Sequence, residues 1–275
     1  MIETMQRLHA VQLEILSVID DFCTRHQIPY SLYAGTLLGA VRHRGFIPWD
    51  DDLDICMHRG DYERFLRLWQ EAPPPGYLLQ NKETAPRFGQ SFTKIRKDHT
   101  VFLQAQKDIG KFHNGIFVDI FPIDRLPEGA VARARFRWDC LLYLLYTREY
   151  VPPKGNPAVK AFSRLILKLT PAALRPRLRS RLHRRITRHR SPELEAVTTE
   201  TLGALRTRYP AGLLDTYTRL PFETGSFLCF SHWDECLRLK FGDYMQLPPE
   251  EERVWKHHPI LIDFDHNYEE LERSK

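Results

Sequence analysis

Cysteine is scarce in this 275-residue chain, with five residues at positions 23, 56, 140, 229 and 236. The number is odd and no two form a Cys-x-x-Cys pair, so a disulfide framework is set aside and a reducing, cytoplasmic compartment is expected. Long apolar runs are also missing. The most continuous, residues 140–146, falls far short of the roughly 20 residues that cross a bilayer. The N-terminus, MIETMQRLHAVQLEIL, carries acids early and lacks an apolar stretch followed by a small-residue cleavage site, so no signal peptide is expected. Internal repeats and low-complexity segments are absent. With 43% hydrophobic and 27% charged residues, the composition excludes a disordered or collagen-like chain. The length is enough to bury a core without disulfide or metal staples.

Acidic residues are missing from one stretch. Residues 160–190 hold eleven Lys/Arg and no Asp/Glu, so the net charge of +5 conceals a remainder with 29 basic and 35 acidic residues. Within the block Phe162, Leu165, Ile166 and Leu169 recur at helical spacing beside Lys160, Arg164 and Lys168. After Pro171 and Pro176, Leu178, Leu182 and Ile186 recur at four-residue steps. The pattern predicts two basic amphipathic helices. Three surfaces fit it: a solvated face packed on the domain, a contact for anionic lipid or a lipid-linked substrate, and a nucleic-acid surface. No RNA-binding signature accompanies it, and nucleic acid is not an expected partner.

Elsewhere the chain alternates elements. Residues 5–25 read as an amphipathic helix with Leu8, Val11, Ile15, Ile19 and Phe22 on one face. A short strand over 30–33 precedes a helix opened by Gly35-Thr36, with Thr36 as its cap, running to about His43. Residues 51–57 read as a strand, and Asp61 caps a helix through Trp69. Strands follow over 77–80, 92–96, 101–104 and 116–121, and helices dominate 131–215. The fold class is α+β, with a mixed sheet in the first half, flanking helices and a helical second lobe.

The run Trp49-Asp50-Asp51-Asp52-Leu53-Asp54-Ile55 carries the first chemical signal. Strand alternation turns Asp52 and Asp54 to one face and Leu53 and Ile55 to the other. Two carboxylates on one face repel, and a core sheet does not tolerate them unpaired. A hard divalent cation, Mg²⁺ or Mn²⁺, resolves both problems. A third carboxylate, Asp119, sits in the apolar run Ile116-Phe117-Val118-Asp119-Ile120-Phe121 and is most readily understood facing the same ion from a neighbouring strand. The plainer alternative is a solvated acidic loop, with Asp119 capping a turn. Gly35-Thr36 presents helix-terminal N–H groups suited to phosphate. Lys94 and Arg96 share a strand face, where they offset diphosphate charge or serve as ordinary exposed cations.

Taken together, YSLYAGTLLGAVRHRGFIPWDDDLDICMHRGDYERFL, then FTKIRKDHTVF, GIFVDIFPID and the C-terminal LPFETGSFLCFSHWDECLRLKFGDYMQLPPEEERVWKHHP, resemble the LicD family of phosphorylcholine transferases and fukutin relatives. The resemblance covers residues 10–126 and 219–259. It implies a nucleotidyltransferase-like core over 1–128, a helical basic lobe over 129–218 and a C-terminal segment over 219–275 packing back on the core. It also implies a Gly-Ser/Thr element, Gly35-Thr36, ahead of an Asp-x-Asp strand, Asp52 and Asp54, with a third acid at Asp119. The implied activity moves a phospho-alcohol, phosphocholine from CDP-choline in the best-known case, to a hydroxyl of a cell-surface glycan or its lipid-linked precursor. Mg²⁺ on Asp52, Asp54 and Asp119 would grip the diphosphate. Lys94 and Arg96 would stabilise charge on the transferring group or on CMP. Asp119 or Asp51 would take the proton of the acceptor hydroxyl. The protein would act at the cytoplasmic face of the membrane. CDP-ribitol or CDP-glycerol as donor, a true nucleotidyltransferase using a nucleoside triphosphate, and a non-enzymatic binding module remain alternatives.

Lesser candidates surround this set. Arg42 follows the phosphate loop, where it reaches a phosphate or pairs with the acidic strand. Choline recognition calls for an aromatic cage with a nearby acid, and Trp49, Tyr33, Phe121, Trp233 and Tyr244 are the aromatic candidates. The stretch after Phe222-Glu223-Thr224-Gly225, Pro-rich in a typical member, here reads SFLCF, which bears on the alcohol or acceptor pocket and brings in Glu223. His257 is a candidate at the site rim. Cys229, His232 and Cys236, with His257 and His258, invite a zinc reading, but the spacing is loose and core cysteines are the default.

Overall fold

The computed structural model describes residues 2–105, 108–151, 156–199, 201 and 203–273. Helix α1 (Ile2–Arg25) leads into β1 (Ser31–Leu32), α2 (Ala34–His43), β2 (Asp54–His58), α3 (Arg59–Glu71), β3 (Tyr77–Gln80), β4 (Thr93–Lys97), β5 (Val101–Leu103) and the long β6 (Phe117–Arg125). Then come α4 (Ala130–Arg148), α5 (Pro157–Leu169), α6 (Arg175–Ile186) and β7 (Ala196–Thr198). The chain ends in β8 (Tyr217–Phe222), β9 (Gly225–Phe230), α7 (Trp233–Phe241), β10 (Leu261–Asp263) and α8 (Tyr268–Arg273).

The central sheet runs β1-β2-β6-β4-β3, with β7 also pairing β6. Strands β2 and β6 are parallel and the other pairs antiparallel, so the fold is α+β around a mixed sheet. Alternation sorts its faces. Leu53, Ile55, Ile95, Val118 and Ile120, all 0% exposed, join the main core with Phe22 of α1 and Phe65 and Trp69 of α3. Removing one such side chain from water is worth about 1.5–3 kcal/mol. Cys56, Phe121 and Ile123 face the other way, into a second cluster with Tyr33, Phe92 and Leu214.

Several elements depart from the sequence reading, each for a local reason. Strand β2 begins at Asp54 rather than Asp51, because three successive carboxylates give the ladder no side chain to pack. Helix α3 starts at Arg59 with His58 as N-cap, leaving Asp61 in the first turn, where an acid favours the helix dipole. Thr36 lies inside α2, whose N-cap is Tyr33. Within the stretch read as helical, Ala196-Val197-Thr198 forms β7 on β6; three residues are too short for a periodic signal. The five cysteines are buried free thiols. No helix among the described residues is long and apolar enough to cross a membrane.

Candidate active site

Sheet register builds the site. Asp54 of β2 lies beside Asp119 of β6, Asp119 beside Lys94 of β4, and Lys94 beside Gln80 of β3, in one row across four strands. Because Ile55, Ile95, Val118 and Ile120 turn to the main core, this row faces the opposite side. Lys94 Nζ donates to both Asp119 oxygens, at 2.5 and 2.8 Å, and sits 3.3 Å from the Phe117 ring centroid. Arg96 donates from Nε to Gln80 Oε1 at 2.8 Å and from Nη1 to the Gly115 carbonyl at 2.5 Å. Both cations are thus buried and held by protein groups, where the sequence left open exposed strand cations or ligands of a diphosphate.

The acidic run is pinned from three directions. From α1, His9 Nε2 donates to the Asp50 carbonyl at 2.7 Å and Gln12 to the Asp51 carbonyl at 3.0 Å. From α2, Thr36 Oγ1 accepts the Asp54 N–H at 2.8 Å, in place of the helix cap expected of it. Gly35 offers a bare face to Asp50; a Cβ there would lie 2.5 Å from Asp50 Oδ2. The α2 N-terminus therefore meets a resident carboxylate where a phosphate was expected, and the dipole favours either anion. From the C-terminal segment, His257 donates its backbone N–H to Asp51 Oδ2 and Nδ1–H to Asp51 Oδ1, both at 3.0 Å, with Nε2 3.8 Å from Asp52 Oδ2. The next residue, His258, takes a left-handed φ of 44°, a strained conformation that turns the chain back at the site.

Five carboxylates crowd one end of the sheet with less positive charge than they need. Burial, then Asp52, Asp119 and Asp50, push the Asp54 carboxyl well above the ordinary range. Burial and Asp52 bring Asp50 up to about 7. Burial raises Asp119 even against Lys94. Burial in turn lowers Lys94 and brings Arg96 down to about 10. Against their own burial, Asp51 is held low by His257, and His257 is held high by Asp51 and Asp52.

These groups fit a hard divalent cation. Asp50 Oδ1 and Asp54 Oδ1 are closed from solvent without a hydrogen-bond partner, and a buried carboxylate oxygen left so is costly. Among the described residues the one close set of ligand atoms, all within 4.8 Å of one another, belongs to Asp51, Asp52 and His257. The Asp51 oxygens are already taken by His257, so Asp52 and the orphaned Asp54 oxygen are the available donors. Asp119 faces the same cluster but is drawn aside by Lys94, so the three predicted acids do not form a tight trio.

Other predicted residues lie elsewhere. Arg42 neither faces the acids nor stands open to a phosphate: it donates to the carbonyls of Tyr244 at 2.7 Å and Gln246 at 3.1 Å, tying α2 to the C-terminal segment. Glu223, in the β8–β9 turn, accepts the Phe46 N–H at 2.9 Å and fixes the hairpin on the loop after α2. The five aromatics do not converge. Tyr33 and Phe121 sit 5.6 Å apart in the second cluster, where Lys240 Nζ already lies 4.4 Å from the Tyr33 ring. Trp49 packs against His43 and Arg253, Tyr244 donates to Asp234 at 2.5 Å, and Trp233 lies against the main core. The zinc reading fails because Cys229 and Cys236 are packed in different apolar clusters and His257 is on Asp51.

One feature was missed from sequence. A cleft of about 570 Å³ opens over Lys94, Arg96, Asp119 and His257. Phe88, Phe92 and Phe112 form one wall, with Phe88 edge-on to the other two at 6.4 and 5.6 Å, and Arg87 and Arg148 stand at its rim. The signal was Pro86-Arg87-Phe88-Gly89-Gln90, a loop with an aromatic and a cation between turn formers.

Residues 27–140, which carry this row of Asp54, Asp119, Lys94 and Gln80, match the LicD/FKTN/FKRP nucleotidyltransferase domain. The family match lies within this segment, which holds the acidic run and Asp119. The chain is similar to the lipopolysaccharide cholinephosphotransferase LicD of Haemophilus influenzae, 29% identical over 259 residues that cover 92% of this chain and 96% of the relative. It is also similar to uncharacterised proteins of Rickettsia typhi and Rickettsia prowazekii, 36% identical over 123 residues and 29% over 115. Those matches span 39% and 40% of the relatives' lengths.

Proposed function

We propose that the protein transfers a phospho-alcohol, phosphocholine first among the possibilities, from a CDP-activated donor to a hydroxyl of a cell-surface glycan or its lipid-linked precursor, releasing CMP on the cytoplasmic side. The observation that carries this reading is the orphaned Asp54 oxygen, on the strand residue paired with Asp119, which itself lines a cleft large enough for a nucleotide, in a chain similar over 92% of its length to a cholinephosphotransferase. Asp52 and Asp54, with Asp119 alongside, would hold Mg²⁺ or Mn²⁺. When bound, the ion supplies charge neutralisation and Lewis acidity at the donor phosphate.

The chain's own residues account for the rest. Arg87 and Arg148 at the rim draw an anionic donor inward, and the phenylalanine wall offers faces for a base or a quaternary ammonium. Lys94 holds Asp119 in place and lends positive charge to the cleft floor. Asp51, 0% exposed and with both oxygens on His257, orients that ring and is closed to substrate. His257 Nε2 is the nitrogen left to exchange a proton with an acceptor hydroxyl, a role the sequence gave to Asp119 or Asp51.

The test is to offer CDP-choline, CDP-ethanolamine, CDP-ribitol, CDP-glycerol and CTP with Mg²⁺ and a glycan acceptor. CMP release from CDP-choline is expected. CMP from another donor alone corrects the alcohol, and pyrophosphate from CTP overturns the reading in favour of nucleotidyl transfer. Asp52→Ala and Asp54→Ala are each expected to lower turnover by about 10³-fold or more, with circular dichroism unchanged.

A further inference from the structure

Helix α5 half-buries Ile166 and Leu167 but leaves most of its apolar stripe outside. Its buried residue is Ser163, while Val159 is 46%, Phe162 36%, Leu165 51% and Leu169 68% exposed. At about 100° per residue these apolar side chains fall in one arc, bordered on one side by Arg164 and Lys168. A surface helix ordinarily turns its apolar stripe to the core and its small polar residues to water. The patch does not end with the helix. Trp138 of α4, 51% exposed, stacks on Phe162 with ring centroids 5.4 Å apart and planes 19° apart. Leu174, in the turn to α6, is 44% exposed.

The charge around this patch has one sign. No acid occurs over residues 160–190. Arg179, Arg185 and Arg190 are spent on Glu83, Asp139 and Glu63 elsewhere in the fold. Arg177, Arg181 and Arg184 recur at four- and three-residue steps on the exposed side of α6, away from Leu182 and Ile186, which pack inward. Arg164, Lys168, Arg177, Arg181 and Arg184 make no ion pair with a described residue.

From this we infer that α5, with Trp138 and the outer face of α6, is an interfacial helix that docks the protein on an anionic bilayer surface. Two features select this occupant. An exposed Leu/Phe/Trp stripe gains by insertion at the headgroup boundary, and the flanking cations gain from the negative surface potential of an anionic leaflet. A nucleic-acid backbone uses the cations but gains nothing from the leucines. A second copy of this chain covers the leucines only by bringing two like-charged blocks together. The inference does not depend on the transfer reaction, so docking and CMP release fail separately.

The test is co-flotation of the full chain with vesicles of phosphatidylcholine alone and of phosphatidylcholine with phosphatidylglycerol at about 7:3, at about 20 mM and about 500 mM salt. Binding to the anionic vesicles, weakened by salt, is expected. Leu165→Ser/Leu169→Ser is expected to lower partitioning about tenfold or more, and Arg181→Glu/Arg184→Glu to weaken it on anionic vesicles only. Both variants are expected to keep the wild-type circular dichroism and the rate of CMP release in solution. Three results overturn the inference: no binding to anionic vesicles, equal binding by the leucine variant, or a dimer in sedimentation equilibrium that the leucine variant dissolves. Binding to a random RNA oligonucleotide that outcompetes the vesicles and survives the leucine variant overturns it in favour of nucleic acid.

Discussion

The acidic end of the sheet and the α5–α6 lobe use charge in opposite ways. Around the sheet the charged groups are held by protein partners, some by strand register and some by loops: Asp119 on Lys94, Asp51 on His257, Arg96 on Gln80 and the Gly115 carbonyl. What remains unpaired there, Asp50 Oδ1 and Asp54 Oδ1, is buried. On the lobe the cations are exposed, and the apolar residues beside them are exposed too. A buried unpaired oxygen calls for a small hard ion, because nothing larger reaches it. A basic, apolar surface calls for something broad and negative. Charged groups thus build an enclosed acidic cluster in one place and an open basic face in the other, and burial makes the difference.

The sharpest way to break the sheet side is Lys94→Met. It leaves Asp119, 4% exposed, as a charge buried without its partner, and removing one member of such a pair costs about 3–5 kcal/mol. Urea unfolding should show that loss. Adding Asp119→Asn should recover most of it, because the pair is then removed together. A double variant as unstable as Lys94→Met would mean that the lysine acts by packing on Phe117 rather than by charge.

A smaller effect separates cation binding from plain structure. The carboxyls of Asp54 and Asp50 are raised in the folded state above their unfolded values. Their contribution is therefore favourable below the ordinary carboxylate range and is lost as pH rises through the raised values, about 7 for Asp50. Without added ion, stability should fall across that window. Mg²⁺ competes with the same protons, so at about 100 times its dissociation constant it should restore about 2–3 kcal/mol above pH 7 and progressively less toward about pH 5. Thermal unfolding with and without Mg²⁺ over this range checks the sign. A Mg²⁺ effect independent of pH would place the ion away from these acids.

Much of the sheet side was legible in the sequence because strands carry a period of two. Asp54, Lys94 and Asp119 each interrupt apolar neighbours, and that interruption marks a shared face. Pairing was not legible. Nothing local says that Lys94 falls opposite Asp119, since register is set by the whole sheet. His257 lies 206 residues from Asp51, and Arg42 turned to backbone carbonyls of the C-terminal segment that no local pattern announces. On the lobe the periodicity of α5 was plain, but period alone does not say whether an apolar stripe faces in or out. Only the packing of Ser163 inward distinguishes the two.

The mildest test lies on the lobe. If the outer arginines of α6 are solvated, Arg177→Gln and Arg181→Gln each remove a charge that has no ion pair among the described residues, and neither should change stability by more than about 0.5 kcal/mol. Removing them also relieves repulsion within the basic block, so any change should be toward greater stability and should shrink as salt is raised. Arg185→Gln, by contrast, breaks a 2.9 Å pair with Asp139, whose side chain is 11% exposed, and should cost more than either neighbour. Chemical denaturation of the three variants side by side ranks them. Equal losses at all three positions would mean that the row at 177 and 181 is braced against the fold, and the contrast between a fixed sheet and an open lobe would no longer hold on this helix.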